Sequence, residues 1–421
     1  MAILGNIKPN ELKSEELANL VRKVQEIAGE GYEVTSKNYE IFMKPLKKIL
    51  RLSKQDQEWY LYFYAMYDIF YLSIEHRKYD VIVKYAELYY KESALYMDNA
   101  IPNYPRYNMA ALNVWIYSYI FHAYYHYHQI DDAKMDAFME KYEESALKYG
   151  KTYKYYEDLM KLSNLYRDAG LSRDAERGFR RYEKEMYSCY VCGHKPYLSH
   201  LVLTDEKRQA EELMNDLINK NVPKQHLWCY DYCLAAAPQA LYKYVAHMCI
   251  VCGNEELFGY FYTKYWKKLP YETQWEPDGD AFRRLLCALP GIFSKLKDDI
   301  REAEKNIREQ KHYATVDNIE IALTWWCYFI LLDRSGMHEI KTKLPGQDTS
   351  ETGIKEDVQE KSTIGAKGAK GVKGAGRIPT LTVAAYMEKR ADGLGALFME
   401  ARAKFDYEEL KGTYRNCFLS K

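Results

Sequence analysis

Apolar residues recur at the three- and four-residue spacing of an amphipathic helix in nearly every segment up to about residue 334. Alternating β-branched runs, which would predict strands, are missing from that stretch. Short loops separate many of the helices, and short loops favour antiparallel neighbours. The pattern therefore predicts an all-α fold of antiparallel helix pairs: 54–75 with 79–96, 105–128 with 131–149, 152–169 with 172–187, and 239–252 with 254–269.

Two of these pairs share a specific order of large, small and turn residues. The first spans 159–182, LMKLSNLYRDAGLSRDAERGFRRY, and the second spans 241–270. Both resemble a tetratricopeptide repeat, a helical hairpin that buries its apolar faces only by stacking on its neighbours. The positions that carry the resemblance are Leu159, Leu162, Ser163, Tyr166, Gly170, Ala175, Phe179 and Tyr182 in the first unit, and Val245, Ala246, Cys249, Gly253, Phe258, Tyr262 and Pro270 in the second.

The resemblance implies a right-handed superhelical solenoid of tetratricopeptide-like hairpins over residues 1–343. It is weaker elsewhere in that range, since Arg77 replaces the turn glycine in the pair 54–96. The units repeat every 40–48 residues rather than every 34, so a related helical repeat stays open. Ser172 and Asn254 are the expected N-caps of the second helices, because their side chains can accept bonds from free first-turn amides.

Beyond the repeats, the composition changes twice. Residues 344–379 are low in complexity, acidic in the first half and Gly- and Lys-rich in the second, and this composition predicts a flexible linker. Residues 380–421 regain an apolar helical face, which predicts a capping helix that docks on the solenoid. The preceding helical stretch, 280–311, is expected to break or kink at Pro290.

Composition narrows the classes of function. The 60 basic and 60 acidic residues balance, so no global field for nucleic acid is expected. The chain has neither a long apolar run nor a secretory signal pattern, and its nine cysteines are an odd number, so we expect a cytoplasmic protein without a membrane span. The 42 tyrosines are expected to fill the seams between helices, or else to line a binding groove.

One cluster of residues has the types and spacing of metal ligands. Cys189 and Cys192 have the two-residue gap that lets two thiolates bind one zinc ion, and His194 and His200 follow closely enough to complete a tetrahedron. The alternative is two packed thiols and two surface imidazoles, so no cofactor is expected unless this cluster binds zinc. The pairs Cys249 with Cys252 and Cys229 with Cys233 are interpreted as small apolar residues inside helices. All four could form a cluster with Cys189 and Cys192, but the sequence does not require one.

The function that follows from the resemblance is a non-enzymatic scaffold that holds a protein or peptide on its concave face. In tetratricopeptide proteins the first helix of each unit lines that face, which places Asn164 and Arg167 of one unit and Lys243 and His247 of the other toward a partner. These side chains could bind backbone amides or a carboxylate of an extended ligand; the alternative is that they are ordinary solvated polar residues.

Two other functions stay open on the sequence. The first is a regulatory protein that senses a peptide through a change of superhelical pitch. The second is a metal-dependent enzyme on a helical scaffold, although no arrangement of nucleophile and base can be identified from spacing. The sequence leaves the identity of the partner and the oligomeric state undetermined.

Overall fold

A computed structural model describes residues 3–5, 7–29, 39–96, 106–149, 151–186, 189–231, 233–268, 281–293, 295–309, 314–345 and 376–420. These residues form helices joined by short turns, together with one pair of three-residue strands, so the all-α prediction is confirmed. The helices are α1 (Glu15–Gly29), α2 (Tyr39–Gln55), α3 (Trp59–Glu75), α4 (Tyr79–Tyr96), α5 (Arg106–His126), α6 (Asp132–Tyr149), α7 (Thr152–Leu165), α8 (Ala169–Tyr182), α9 (Tyr190–Leu203), α10 (Lys207–Ile218), α11 (Pro238–Val251), α12 (Glu255–Lys264), α13 (Ala281–Ala288), α14 (Leu296–Glu309), α15 (Val316–Arg334), α16 (Thr380–Ala401) and α17 (Tyr407–Leu419).

The first helices of successive pairs form a continuous layer. Helix α3 packs on α5, α5 on α7, α7 on α9, and α9 on α11, while α4, α6, α8, α10 and α12 each pack on the helix before them. Helix α3 is apolar on all sides, with thirteen of its seventeen residues buried, because it packs against α2, α4 and α5. Helix α8, by contrast, buries only three residues and is polar on its outer side.

Five of the turns between successive helices share one geometry although their turn residues differ; the α5–α6 turn is not among them. Gln57, Arg77, Arg167, Asp205 and Gly253 all have a left-handed φ of 51–72°. At each of them the next residue donates its N–H to the carbonyl five positions earlier, at 2.7–2.9 Å. This is the Schellman ending of a helix, for which glycine is preferred but not required. The backbone repeat is therefore more regular than the sequence repeat.

The turn at 166–168 corrects two details of the sequence prediction. Arg167, not Gly170, takes the left-handed position, and Gly170 lies inside α8. Asp168, not Ser172, is the N-cap, and its side chain accepts the N–H of Leu171 at 2.9 Å. The predicted Asn254 cap is confirmed, with Leu257 as the donor at 2.9 Å.

The C-terminal part packs back on the turns of the earlier hairpins. Helices α13 and α14 lie on either side of Pro290, as the break predicts. Strand β1 (Glu339–Lys341) pairs antiparallel with β2 (Arg377–Pro379), so the end of the predicted linker belongs to a strand; most of that linker, 346–375, lies outside the described residues. The predicted cap consists of two helices, α16 along α15 and α17 against α11, α12 and α15.

Aromatic rings fill the seams of the helix layer. Tyr89 and Tyr117 meet edge to face with centroids 5.8 Å apart, and Tyr117 stacks on Tyr142 at 5.4 Å. Tyrosine suits these seams because the ring is apolar and the hydroxyl can still reach a polar partner.

Within the described ranges, no helix combines the length and hydrophobicity needed to cross a lipid bilayer.

Candidate functional site

A network of charges is built into helix α7. Lys154, Glu157, Asp158 and Lys161 are spaced three and four residues apart and therefore share one face of the helix. The Lys154 ammonium lies 2.8 Å from Glu157 and 3.2 Å from Asp158, and the Lys161 ammonium lies 3.1 Å and 2.8 Å from the same two carboxylates. All but Lys161 are buried, so each charge depends on its partners for stabilisation.

Neighbouring helices complete the bonding of Asp158, which is fully buried. Ser118 of α5 donates to its Oδ2 at 3.0 Å, and Tyr142 of α6 donates to the same atom at 3.2 Å. Burial alone would raise the pKa of Asp158, but the positive charges of Lys154 and Lys161 outweigh burial and hold the pKa below its usual range. Asp158 is thus an anion that fastens α5, α6 and α7 together.

A second group of charges lies where α15 begins beside the end of α5. His126 Nδ1 lies 3.2 Å from Asp317, and Tyr79 donates its hydroxyl to the other Asp317 oxygen at 3.1 Å. Burial opposes the charge of Asp317, but His126 and the other surrounding groups lower its pKa. The ring of His126 also stacks on Tyr79 and His122, which links this group to the network on α7.

The α7 network opens onto a partly accessible surface that we call the charged strip: Trp115, Tyr119, Lys154, Lys161, Lys195 and Tyr244. The Lys154 ammonium lies 5.8 Å from the centre of the Trp115 ring, and the Lys195 ammonium lies 4.8 Å from that of Tyr244. Trp115 is 37% exposed and the Lys161 side chain 24%, so both reach solvent. The strip runs across α5, α7, α11 and α9 and combines aromatic faces with ammonium groups.

The structure places the two predicted partner-binding residues of α7 and its turn against the chain itself. Asn164 is 2% exposed, and its Oδ1 lies 3.9 Å from the Cys252 sulfur. Arg167 donates to the carbonyls of Val251 at 2.7 Å and Ile250 at 3.3 Å, and it pairs with Glu409 at 2.8 Å. Arg167 thus satisfies the last carbonyls of α11 and ties that helix to α17.

The two predicted residues of α11 share that helix with Tyr244 of the charged strip. His247 Nε2 lies 3.0 Å from Glu320 of α15, and its ring meets Phe282 edge to face. Burial alone would lower the pKa of His247, but Glu320 outweighs burial and raises it. Lys243 is partly exposed and lies one helical turn from His247. Asn164, Arg167 and His247 therefore each bond to a partner within the chain itself.

Of the four predicted metal ligands, the structure brings the two cysteines together but not the two histidines. Cys189 and Cys192 lie together, and Cys233 is their third neighbour, with the three sulfurs all within 4.8 Å of one another. His194, however, is held by the Tyr190 carbonyl and by Glu183, both at 2.9 Å. His200 Nδ1 pairs with the Ser172 hydroxyl at 2.8 Å, and burial lowers the pKa of His200 to about 4. Each histidine thus has its own protein partner away from the thiols.

Sequence reasoning missed most of the charged strip. The spacing of Lys154, Glu157, Asp158 and Lys161 is a usable local signal, since opposite charges three and four apart pair on a helix. No local signal joins His126 to Asp317 or Cys192 to Cys233, because these contacts link separate helices and turns.

Comparison with protein-family models, with curated proteins and with solved structures found no match.

Proposed function

We propose that the chain is a non-enzymatic scaffold that holds a protein or peptide segment on the charged strip of a right-handed, tetratricopeptide-like solenoid. The observation that carries the proposal is the partly exposed Trp115, with the Lys154 ammonium over its ring, at the end of a row of lysines and tyrosines on four adjoining helices. Tryptophan and tyrosine dominate binding energy at protein interfaces. The nine free thiols accord with a cytoplasmic location.

The strip's chemistry suggests the kind of segment that it binds. Glu157 and Asp158 are already paired with Lys154 and Lys161, and Lys195 adds a further positive charge. An extended segment with a carboxylate and an aromatic or aliphatic anchor fits this surface, because ammonium groups form strong charge-assisted bonds to carboxylates and Trp115 offers an apolar face. The α7 network holds the partly exposed Lys161 in place before the partner arrives, which lowers the entropy lost on binding.

A selection from a displayed library of random peptides tests the proposal even though the natural partner is unidentified. The full chain is expected to enrich sequences with an acidic residue near an aromatic one. Trp115→Ala should weaken binding of an enriched peptide about thirtyfold or more, since loss of an interface hot spot costs about 2 kcal/mol or more. Lys195→Ala should weaken the binding of acidic peptides but not that of the same peptides with Asn or Gln in place of Asp or Glu.

The matched control is Leu147→Ala on α6, which removes a side chain that is 52% exposed at a site outside the strip. This variant should bind the enriched peptides as the unmodified chain does. If Leu147→Ala abolishes peptide enrichment and Trp115→Ala does not, the peptides bind to a surface other than the charged strip. A selection that enriches no peptide from a diverse library would contradict the scaffold proposal.

A further inference from the structure

The chain between α10 and α11 has little regular structure to hold it in place. The described residues of 219–237 include two stretches of 3₁₀ helix, at Lys224–Asp231 and Leu234–Ala236, and no α-helix or strand. They pack on a small apolar cluster that is separate from the main core and has five buried members: Val191, Leu217, Cys229, Ala236 and Leu241. A core this small is rarely enough to order a segment without a further link, such as a disulfide or a metal ion.

Four cysteines meet at this place. Cys189 is the residue before α9, Cys192 lies in the first turn of that helix, and Cys229 and Cys233 flank the end of the first 3₁₀ stretch. The Cys192 and Cys233 sulfurs are 3.4 Å apart and, with the Cys189 sulfur, all lie within 4.8 Å. The buried Cys229 thiol adjoins the Cys189 thiol, although its sulfur is not within 4.8 Å of all three others. The pattern is C-x₂-C followed by C-x₃-C.

The separations of the Cys189, Cys192 and Cys233 sulfurs suit a shared metal ion better than a disulfide. Zn–S bonds of about 2.3 Å in a tetrahedron place sulfurs about 3.8 Å apart, whereas a disulfide needs about 2.05 Å.

We propose that Cys189, Cys192, Cys229 and Cys233 bind one zinc ion that fastens residues 219–237 to the start of α9. The four thiols lose their protons to solvent as four Zn–S bonds form, so the occupied site carries a net charge of minus two. All four positions around the metal are then taken by protein, which is the arrangement of a structural site and leaves no position for a substrate. The site uses neither His194 nor His200.

Metal titration of the reduced full chain tests the site. Co²⁺ serves as the spectroscopic probe, and Zn²⁺ competes for the same site. We expect one Co²⁺ per chain, with the visible bands of a tetrahedral ion and the near-ultraviolet charge transfer of four thiolates, both removed by one equivalent of Zn²⁺. Cys192→Ser and Cys233→Ser should each weaken zinc binding more than about 100-fold, since loss of an outer-shell partner alone costs 10- to 100-fold.

Control variants separate this ligand set from the alternatives. Cys252→Ser alters the other C-x₂-C pair and should leave binding unchanged, as should His194→Gln with His200→Gln. Cys229→Ser should lower the thiolate charge-transfer intensity; an unchanged spectrum would overturn the four-cysteine set. Circular dichroism shows whether each variant folds, and Cys192, which is exposed, is the least disruptive ligand to change.

Hydrogen exchange supplies a readout that does not depend on the colour of cobalt. Zinc should slow exchange in residues 219–231 and at the start of α9, with no change in α5 to α7, and a chelator should reverse the effect. A chain that binds no metal and instead forms a Cys192–Cys233 disulfide would overturn the proposal. So would an iron–sulfur absorption spectrum in the chain as purified, since four thiolates also suit such clusters.

Discussion

At the scale of single residues, two buried aspartates show that surroundings decide charge. Asp158 lies beside two lysines and is held as an anion. Asp68 is 2% exposed and accepts the Leu4 N–H at 2.8 Å. Burial raises the pKa of Asp68 to about 8, and the Leu4 bond only partly opposes that rise. Aspartate is thus an anion that links three helices at position 158 and a neutral acid at position 68.

Asp68→Asn is expected to change how stability depends on pH. The pKa of Asp68 in the folded chain exceeds its unfolded value of about 3.9, so its contribution to stability is complete below about pH 4 and is lost as the pH rises toward 8. Asparagine keeps an acceptor for Leu4 but cannot ionise. The difference in unfolding free energy between the unmodified chain and Asp68→Asn should therefore fall by up to about 1.4 kcal/mol per pH unit.

Urea unfolding of both proteins at pH values from about 5 to about 8 provides the measurement. The difference between the two unfolding free energies removes the contribution of every group that titrates equally in both proteins. If that difference stays constant across the range, Asp68 does not carry the raised pKa.

At the scale of elements, five turns between successive helices keep one geometry with unlike residues. Four of the five left-handed turn positions are Gln57, Arg77, Arg167 and Asp205, and only Gly253 has the residue that the turn favours. The left-handed conformation costs a side-chain-bearing residue about 1–2 kcal/mol. The recurring bond from the following N–H to the carbonyl five residues earlier maintains the turn in spite of that cost.

Gln57→Gly should therefore stabilise the fold by roughly 0.5–1 kcal/mol, which is the relief of the left-handed strain less the greater chain entropy of glycine. Gln57 is exposed, so its side chain gives up little packing. The converse change, Gly253→Ala, should destabilise by about 1 kcal/mol or more, since φ is +72° and the new Cβ would lie 3.1 Å from the Arg167 guanidinium.

Thermal unfolding of Gln57→Gly and Gly253→Ala beside the unmodified chain checks both predictions. In a chain of this size each kcal/mol should move the unfolding midpoint by a few degrees at most. A lower midpoint for Gln57→Gly would show that the turn depends on the glutamine side chain rather than on backbone conformation.

At the scale of the whole molecule, the C-terminal helices close the layer of hairpins along the edge formed by their turns. Arg402, at the end of α16, is fully buried; it donates to the Tyr124 carbonyl and to the Tyr166 hydroxyl, and it faces Asp132 at 3.7 Å. Arg167 makes the matching link to Glu409 of α17. Residues more than 230 positions apart in the chain thus depend on one another.

Arg402→Met should destabilise the molecule by about 3 kcal/mol, because it leaves the Tyr124 carbonyl and Asp132 without their buried cationic partner. Arg402→Lys should recover only part of the loss, since an ammonium cannot reproduce the fork that reaches both Tyr124 and Tyr166. Urea unfolding gives the size of the effect, and hydrogen exchange should show lost protection in α16 and in the turn at 127–131 together. An effect confined to α16 would mean that the two regions are not coupled.

The candidate site shows how far local patterns reach. The charge pairs of α7 can be identified from their spacing, and the Asn254 cap is predicted correctly. The spacing also identifies the Cys189 and Cys192 pair, but its further neighbour Cys233 lies 41 residues from Cys192, and the nearby histidines face Glu183 and Ser172 instead. Nearness in sequence predicts partners only where a single helix or turn contains them.

The sequence by itself determined the helices of the four predicted hairpins and the break at Pro290, because helical periodicity, short loops and proline act over a few residues. The tertiary structure alone decided which polar residues face solvent. Asn164 and Arg167 have the spacing of groove residues, yet the packing of α11 and α17 against their turn buries one and pairs the other. The reason is physical: helix packing angles set the contacts between distant segments, and those angles depend on all the side chains in the interface.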